Sequence, residues 1–229
     1  MVRFCESHAV PNLFFTSSIS VYGPNEEPKT EASSPAPVSA YGKSKLQSEG
    51  IFRLWAKSDP RRHLVIARPA VIFGPGESGN FTRLAKALST GFFFYPGRRD
   101  TVKGCAYVEE VLRTFRFASA RPEKIYIYNI AYPTPYTMES ICRAYRDVGG
   151  LPGPRGTIPT SAMMAVVLPF EAMNAVGLRN PVCRERVQKL VNSTYIVPER
   201  LVQDGYEFET DLEEALRRWK AADPSGEFV

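Results

Sequence analysis

Apolar and polar positions follow two rhythms over the first 76 residues. Residues 2–9 have the spacing of the end of an amphipathic helix, which Pro11-Asn12 breaks. Leu13-Phe14-Phe15-Thr16 is short and apolar throughout, the pattern of a strand covered on both faces. Residues 23–39 are rich in Pro, Ser and Glu, with Asn25 among them, and read as a loop. From Ala40 to Ala56 the period becomes helical, with Leu46, Gly50 and Leu54 at four-residue spacing, until Asp59-Pro60 closes the segment. His63 to Phe73 is a second apolar, β-branched run, ended by Gly74-Pro75-Gly76. Strand, loop, helix, strand is a βαβ unit, and it predicts a parallel sheet with helices packed on it.

The same reading predicts helices over 81–89 and 108–118 and a strand over 124–130, where Tyr and Ile alternate. Thr137 with Glu139 nearby marks the start of a helix running to Val148, and Gly149-Gly150 ends it. Residues 160–177, 183–192 and 211–221 also carry helical patterns, so the C-terminal part is mixed and mostly helical. The fold class is therefore α/β.

Composition adds limits. The chain has 229 residues, 44% hydrophobic and 23% charged, which suffices for a substantial core. Its formal net charge of +5 suits anionic partners. The Lys and Arg residues are scattered, without the clustered run of a nucleic-acid patch, so no nucleic-acid partner is expected. Cys5, Cys105, Cys142 and Cys183 stand apart and only His8 and His63 could join them, so no metal site is expected. Unpaired cysteines fit a reducing cytoplasm. The longest apolar stretch, 162–170, is too short to span a bilayer.

Chemistry concentrates in two segments. Thr16-Ser17-Ser18-Ile19-Ser20-Val21-Tyr22-Gly23 follows the first strand, and Tyr41-Gly42-Lys43-Ser44-Lys45 opens the next helix. Tyr41 and Lys45 are four positions apart and share one helical face. An ammonium beside a phenol favours the phenolate, and a tyrosine so tuned can exchange a proton with a substrate hydroxyl. A serine at the preceding strand end can bond the same oxygen. Ala67-Arg68-Pro69-Ala70-Val71-Ile72-Phe73-Gly74 follows at the carboxyl edge of the next strand, where open α/β sheets bind ligands.

These motifs together resemble the extended short-chain dehydrogenases, the NAD-dependent epimerase/dehydratase family. The resemblance is strongest over 13–76 and 96–135 and weakest over 155–200. It implies a partial Rossmann-type parallel sheet flanked by helices, with a smaller, mostly helical substrate-binding region. Residues 1–76 and 104–135 would belong to the NAD-binding domain, and 77–103 and 136–229 to the substrate region. Ser18, Tyr41 and Lys45 are the implied catalytic residues. Ser17, Tyr41, Lys45, Pro69 and Val71 would line the cofactor. Ser18, Asn80, Arg98, Arg99 and Lys103 would meet the substrate. The implied cofactor is NAD, with NADP left open, and the implied partners are a nucleotide-sugar and a second copy of the chain.

Departures from the family pattern narrow the reaction. The family opens with a Gly-rich GxxGxxG turn, which this sequence lacks, and the chain is expected to begin within the helix before the catalytic-serine strand. The 4,6-dehydratases of this group place Thr-Asp-Glu where this chain has Ser18-Ile19-Ser20. That argues against water elimination and for C4 epimerisation of a nucleotide-sugar. Val71 stands where many galactose-type epimerases carry Asn, so dehydrogenation of a sugar or sterol-like alcohol stays open, as does a non-catalytic nucleotide-binding remnant.

Overall fold

A computed structural model describes residues 1–175, 184–223, 225 and 228. Cys183 and the ends of the helices expected over 160–177 and 183–192 lie outside the described residues. Along the chain the elements are α1 (Val2–Ser7), β1 (Asn12–Thr16), a 3-10 turn (Ile19–Val21), β2 (Asn25–Lys29), α2 (Ala40–Lys57), β3 (His63–Pro69) and β4 (Val71–Phe73). Then come α3 (Asn80–Ser89), β5 (Tyr95–Pro96), β6 (Cys105–Tyr107), α4 (Val108–Ser119), β7 (Ile125–Ile130) and α5 (Met138–Gly149). The rest is β8 (Thr157–Ile158), α6 (Thr160–Ala175), α7 (Arg184–Val191), β9 (Thr194–Ile196), α8 (Glu199–Gln203) and α9 (Leu212–Ala222). They form two compact units: residues 1–73, 104–135 and 195–211, and residues 74–103, 136–194 and 212–229.

The first unit is built on a parallel sheet in the order β1-β3-β7, with Phe14 opposite Val65 and Ile66 opposite Ile127. Alternation along β3 decides its two faces. Leu64 and Ile66 pack with Cys5, Phe52, Trp55 and Ala56 from α1 and α2. Ala67 packs on the other side with Val111 and Ala118 of α4 and Tyr126 and Tyr128 of β7. Ring pairs Phe15–Phe52 and Phe14–Phe115, with centroids 4.8 and 4.6 Å apart, tie β1 into both layers. Helices on both faces explain why these strands are apolar throughout rather than alternating with polar residues.

Three local features depart from the sequence reading. The run 63–73 is two strands, because the chain turns at Ala70 and β4 pairs in parallel with β6 in a separate sheet. The Pro-rich loop contains β2, which pairs with β9; Asn25 holds that pairing by donating from Nδ2 to the Tyr195 carbonyl at 2.6 Å. Residues 195–211 therefore cluster with the first unit rather than with the rest of the C-terminal region.

In the second unit, Thr137 caps α5 in a capping box whose other half is Ser140, not Glu139. Gly150 ends the helix with a left-handed φ of 73°, which glycine adopts without a Cβ clash. Tyr145 of α5 and Trp219 of α9 enclose Phe228, with ring centroids 5.0 and 5.4 Å from it. Phe81 of α3 joins through Tyr145, which also donates to its carbonyl at 3.0 Å. β5 and β8 pair in parallel, with Tyr95 opposite Thr157.

Candidate active site

The end of β1 leads directly into the 3-10 turn. Ser18 caps that turn: its Oγ accepts from the Ser20 backbone N–H at 3.1 Å and donates to Ser20 Oγ at the same distance. Helix α2 is capped by Ser39, which accepts from Gly42 N at 3.0 Å. This cap starts the helix where Tyr41 and Lys45 fall on one face. Lys45 Nζ lies 5.6 Å from the Tyr41 ring centroid and 5.1 Å from that of Phe15, and donates to the Thr16 carbonyl at 2.8 Å. The ammonium is thus anchored to the strand end that carries Ser17 and Ser18. Tyr41 is 56% exposed, so an approaching ligand can reach it.

Gly42 explains how the two segments come together. A Cβ built there would lie 2.3 Å from the Ser20 carbonyl oxygen and 3.1 Å from Pro37 Cβ. The first turn of α2 therefore presses backbone to backbone on the Ser18–Ser20 turn, which only glycine allows. Sequence reasoning passed over this residue, although its place inside Tyr41-Gly42-Lys43-Ser44-Lys45 was a signal: glycine costs about 1 kcal/mol against alanine in a helix and needs a compensating contact.

A buried polar network lies beneath the motif. Arg68, on β3, is 2% exposed and forms a two-pronged pair with Glu49 of α2, Nη2 to Oε2 at 2.6 Å and Nε to Oε1 at 2.9 Å. Ser17 Oγ donates to the same Glu49 Oε1 at 2.7 Å. Arg68 Nη1 donates to Tyr22 OH at 2.7 Å, and that hydroxyl donates to Asn129 Oδ1 at 2.9 Å. Burial opposes the Arg68 charge, but its bonds to Glu49 and the proximity of Tyr22 outweigh this and push its pKa above the usual arginine value. Burial raises the Tyr22 hydroxyl despite the pull of Arg68, keeping it a neutral donor. The network joins the ends of β1, β3 and β7 to α2. Its sequence signal was a charged residue in an otherwise apolar strand, which must find a partner.

The other expected site residues are placed as follows. Ser17 is buried with its hydroxyl on Glu49, and Pro69 and Val71 flank the turn between β3 and β4. In the second unit Asn80 is the exposed first residue of α3. Arg98, Arg99 and Lys103 share one short segment. Arg98 Nη2 donates to Ser193 Oγ at 2.8 Å, and Lys103 Nζ to the Asn192 carbonyl at 2.7 Å. Arg99 lies over the Tyr95 ring at 5.4 Å and pairs with Glu139 at 3.8 Å. Among the described residues no helix is long and apolar enough to cross a membrane, and no three His, Cys, Asp or Glu side chains group as metal ligands.

A parallel sheet between helices, with a serine turn and a Tyr–Lys helix face at its carboxyl edge, defines a Rossmann-type scaffold. The chain belongs to the NAD dependent epimerase/dehydratase family, whose model matches residues 1–131. A curated relative from Escherichia coli O157:H7, the N-acetyl-alpha-D-glucosaminyl-diphospho-ditrans,octacis-undecaprenol 4-epimerase, is 28% identical over 216 residues. That match covers 93% of this chain and 65% of the relative, so the chain spans less than two thirds of the relative's length. The fold is shared with the UDP-glucose 4-epimerase of Thermotoga maritima with UDP-glucose (TM-score 0.70, 19% identity, 95% of this chain and 65% of that one). It is also shared with the Thermus thermophilus UDP-glucose 4-epimerase in complex with NAD (TM-score 0.68, 20% identity, 95% and 65%).

Proposed function

We propose that this chain carries the proton-transfer residues of an NAD-dependent C4 epimerase acting on a sugar esterified to a diphosphate. The observation that carries the reading is the Tyr41–Lys45 face, held against the Ser18 turn by Gly42 and anchored through the Thr16 carbonyl. The diphosphate ester is what a nucleotide-sugar and the lipid-linked sugar of the curated relative have in common.

The residues present fit the nicotinamide-ribose end of the cofactor: a cation at the strand end, an exposed phenol beside it, and Pro69 and Val71 at the carboxyl edge of β3. When bound, the cofactor supplies reversible hydride transfer at a sugar carbon. Tyr41 would take the proton of the C4 hydroxyl and give it back to the same oxygen once that carbon is reduced again. Lys45, anchored at the strand end through the Thr16 carbonyl, would bond the ribose. Ser18 orients the reacting oxygen. Asn80, Arg98, Arg99 and Lys103 supply dipoles and cations for the diphosphate. The protein works as a cytoplasmic homodimer on this reading.

The test has two stages. Millimolar NAD raises the melting temperature of the chain, and Lys45→Ala removes the shift. With the sugar diphosphate supplied, Tyr41→Phe slows epimerisation by about 10²- to 10⁴-fold while NAD still binds. Epimerisation at the parent rate by Tyr41→Phe overturns the assignment. Net accumulation of NADH instead of an epimer would identify a one-way dehydrogenase, the reading that Val71 keeps open.

A further inference from the structure

The two units divide the chain's charge unevenly. The first holds fourteen Lys and Arg against fourteen Asp and Glu; the second holds fifteen against ten, so the whole net charge of +5 lies there. Within the second unit the asymmetry is sharper still. Residues 78–99 contain Arg83, Lys86, Arg98 and Arg99 and no acid, and residues 148–170 contain Arg155 and no acid.

The structure brings those two acid-free segments together. Arg155 N donates to the Phe93 carbonyl and Tyr95 N to the Gly156 carbonyl, at 2.9 and 2.8 Å, and β5 and β8 continue the pairing. Gly91, at φ +70°, turns the chain into Phe92-Phe93-Phe94. Phe92 is 67% exposed, Phe94 38% and Ile158 41%. The Arg155 guanidinium sits over the Phe92 ring at 4.0 Å. Just beyond β8, α6 opens with Ala162, Ala165 and Val166 exposed, and its only charged residue is Glu171. Arg98 and Arg99 of the first segment are paired with Asp100 and Glu139 at 3.5 and 3.8 Å, so the cation left beside the exposed rings is Arg155. Exposed aromatics beside such a cation are what a phospholipid interface selects: rings enter the headgroup level and the cation meets the phosphates.

We infer that this face of the second unit docks on an anionic phospholipid bilayer, with Phe92 and Phe94 as the inserting side chains and Arg155 as a phosphate contact. The choice of a bilayer over another anionic surface rests on the lipid-linked branch of the substrate class proposed above. Such a sugar diphosphate sits at a membrane surface, and a peripheral enzyme held there would meet it.

Sedimentation with lipid vesicles tests this on the full chain, with no cofactor or sugar present, so it stands or falls separately from epimerisation. The chain sediments with phosphatidylcholine–phosphatidylglycerol vesicles and far less with phosphatidylcholine alone. Salt at about 0.5 M weakens the binding by screening. The Phe92→Ser/Phe94→Ser double variant loses at least about tenfold in partitioning, and Arg155→Glu also loses binding. An unchanged circular dichroism spectrum establishes that both variants remain folded. Absence of binding to the mixed vesicles overturns the inference, as does equal binding by the folded double variant. Sedimentation velocity showing a self-association that the double variant abolishes, without vesicle binding, assigns the face to a second copy of the chain and overturns it too.

Discussion

The two units treat charge in opposite ways. The first is neutral in sum, yet it buries an arginine and two carboxylates; the second carries all the excess positive charge and keeps its described cations out of the core. Glu49 and Glu110 are each 1% exposed in the first unit, and each is met by several donors. Glu110 accepts from Tyr206 OH, Glu209 N and Thr210 N at 2.7 to 2.9 Å, fixing residues 206–210 on α4. Buried ions of this kind hold backbone segments at fixed positions and add little net stability over apolar residues of the same shape. Surface cations leave the fold almost unconstrained and set which partners approach. On the function proposed above, the first unit would hold the reacting groups in place and the second would meet the anionic part of the substrate.

The largest effect that separates the units comes from deleting one cation in each. Arg68→Met leaves the Glu49 carboxylate buried with Ser17 as its remaining donor, and about 3–5 kcal/mol of unfolding free energy is lost. Arg155→Met removes a guanidinium whose ring partner Phe92 is itself exposed, and costs at most about 1 kcal/mol. Urea unfolding of both variants measures this. Replacing the pair together, Arg68→Met with Glu49→Leu, recovers part of the loss, because no uncompensated charge remains. Equal costs at positions 68 and 155 would remove the contrast between the units.

Glycines give a smaller and more local comparison. At Gly42 alanine gains about 1 kcal/mol of helix propensity. Its Cβ, however, meets a backbone carbonyl at 2.3 Å that cannot rotate away. Overpacking of this kind costs about 1–3 kcal/mol, so the clash wins and Gly42→Ala is destabilising. It also displaces Tyr41 from the Ser18 turn, so NAD binding or turnover falls by more than the lost stability accounts for. At Gly153, in the second unit, nothing lies within 4 Å of an added Cβ, and alanine leaves thermal stability unchanged or slightly higher.

Much of this was legible from periodicity and spacing. The βαβ order, the Tyr41–Lys45 face and α5 follow from local pattern; the observed bounds of β1, α2 and α5 differ from the expected ones by a residue, whereas the second strand ends at Pro69 instead of Phe73. What escaped depends on distant partners. β2 and β9 are five- and three-residue strands that exist because they pair with each other across most of the chain. The break at Ala70 follows from β4 choosing β6, which no local signal near residue 70 announces. The Ser17–Glu49–Arg68–Tyr22–Asn129 network spans four elements, so each member looked like an isolated polar residue. The aromatic face of the second unit has no local signature either: a run of three phenylalanines is as fit for a core as for a surface, and only the exposure of Phe92 and Phe94 separates the two.

The smallest effect is a pH dependence confined to the first unit. Glu31 accepts backbone N–H groups from Asn129 at 2.7 Å and Arg200 at 3.2 Å. Burial nevertheless raises its pKa above the ordinary carboxyl value, outweighing those two bonds. The folded state therefore holds the Glu31 proton more tightly than the unfolded state, where the pKa is about 4.3. Its contribution to stability is fully present below that pKa and is lost as pH rises through the higher folded value. Glu31→Gln, which does not titrate, removes this one slope and leaves the other titrations in place. Urea unfolding in steps upward from about pH 4 gives the difference between parent and variant. That difference shifts in the variant's favour as pH rises and then levels off. A difference that is flat across the range means that Glu31 titrates alike in the folded and unfolded chains, and its burial then does not control the proton.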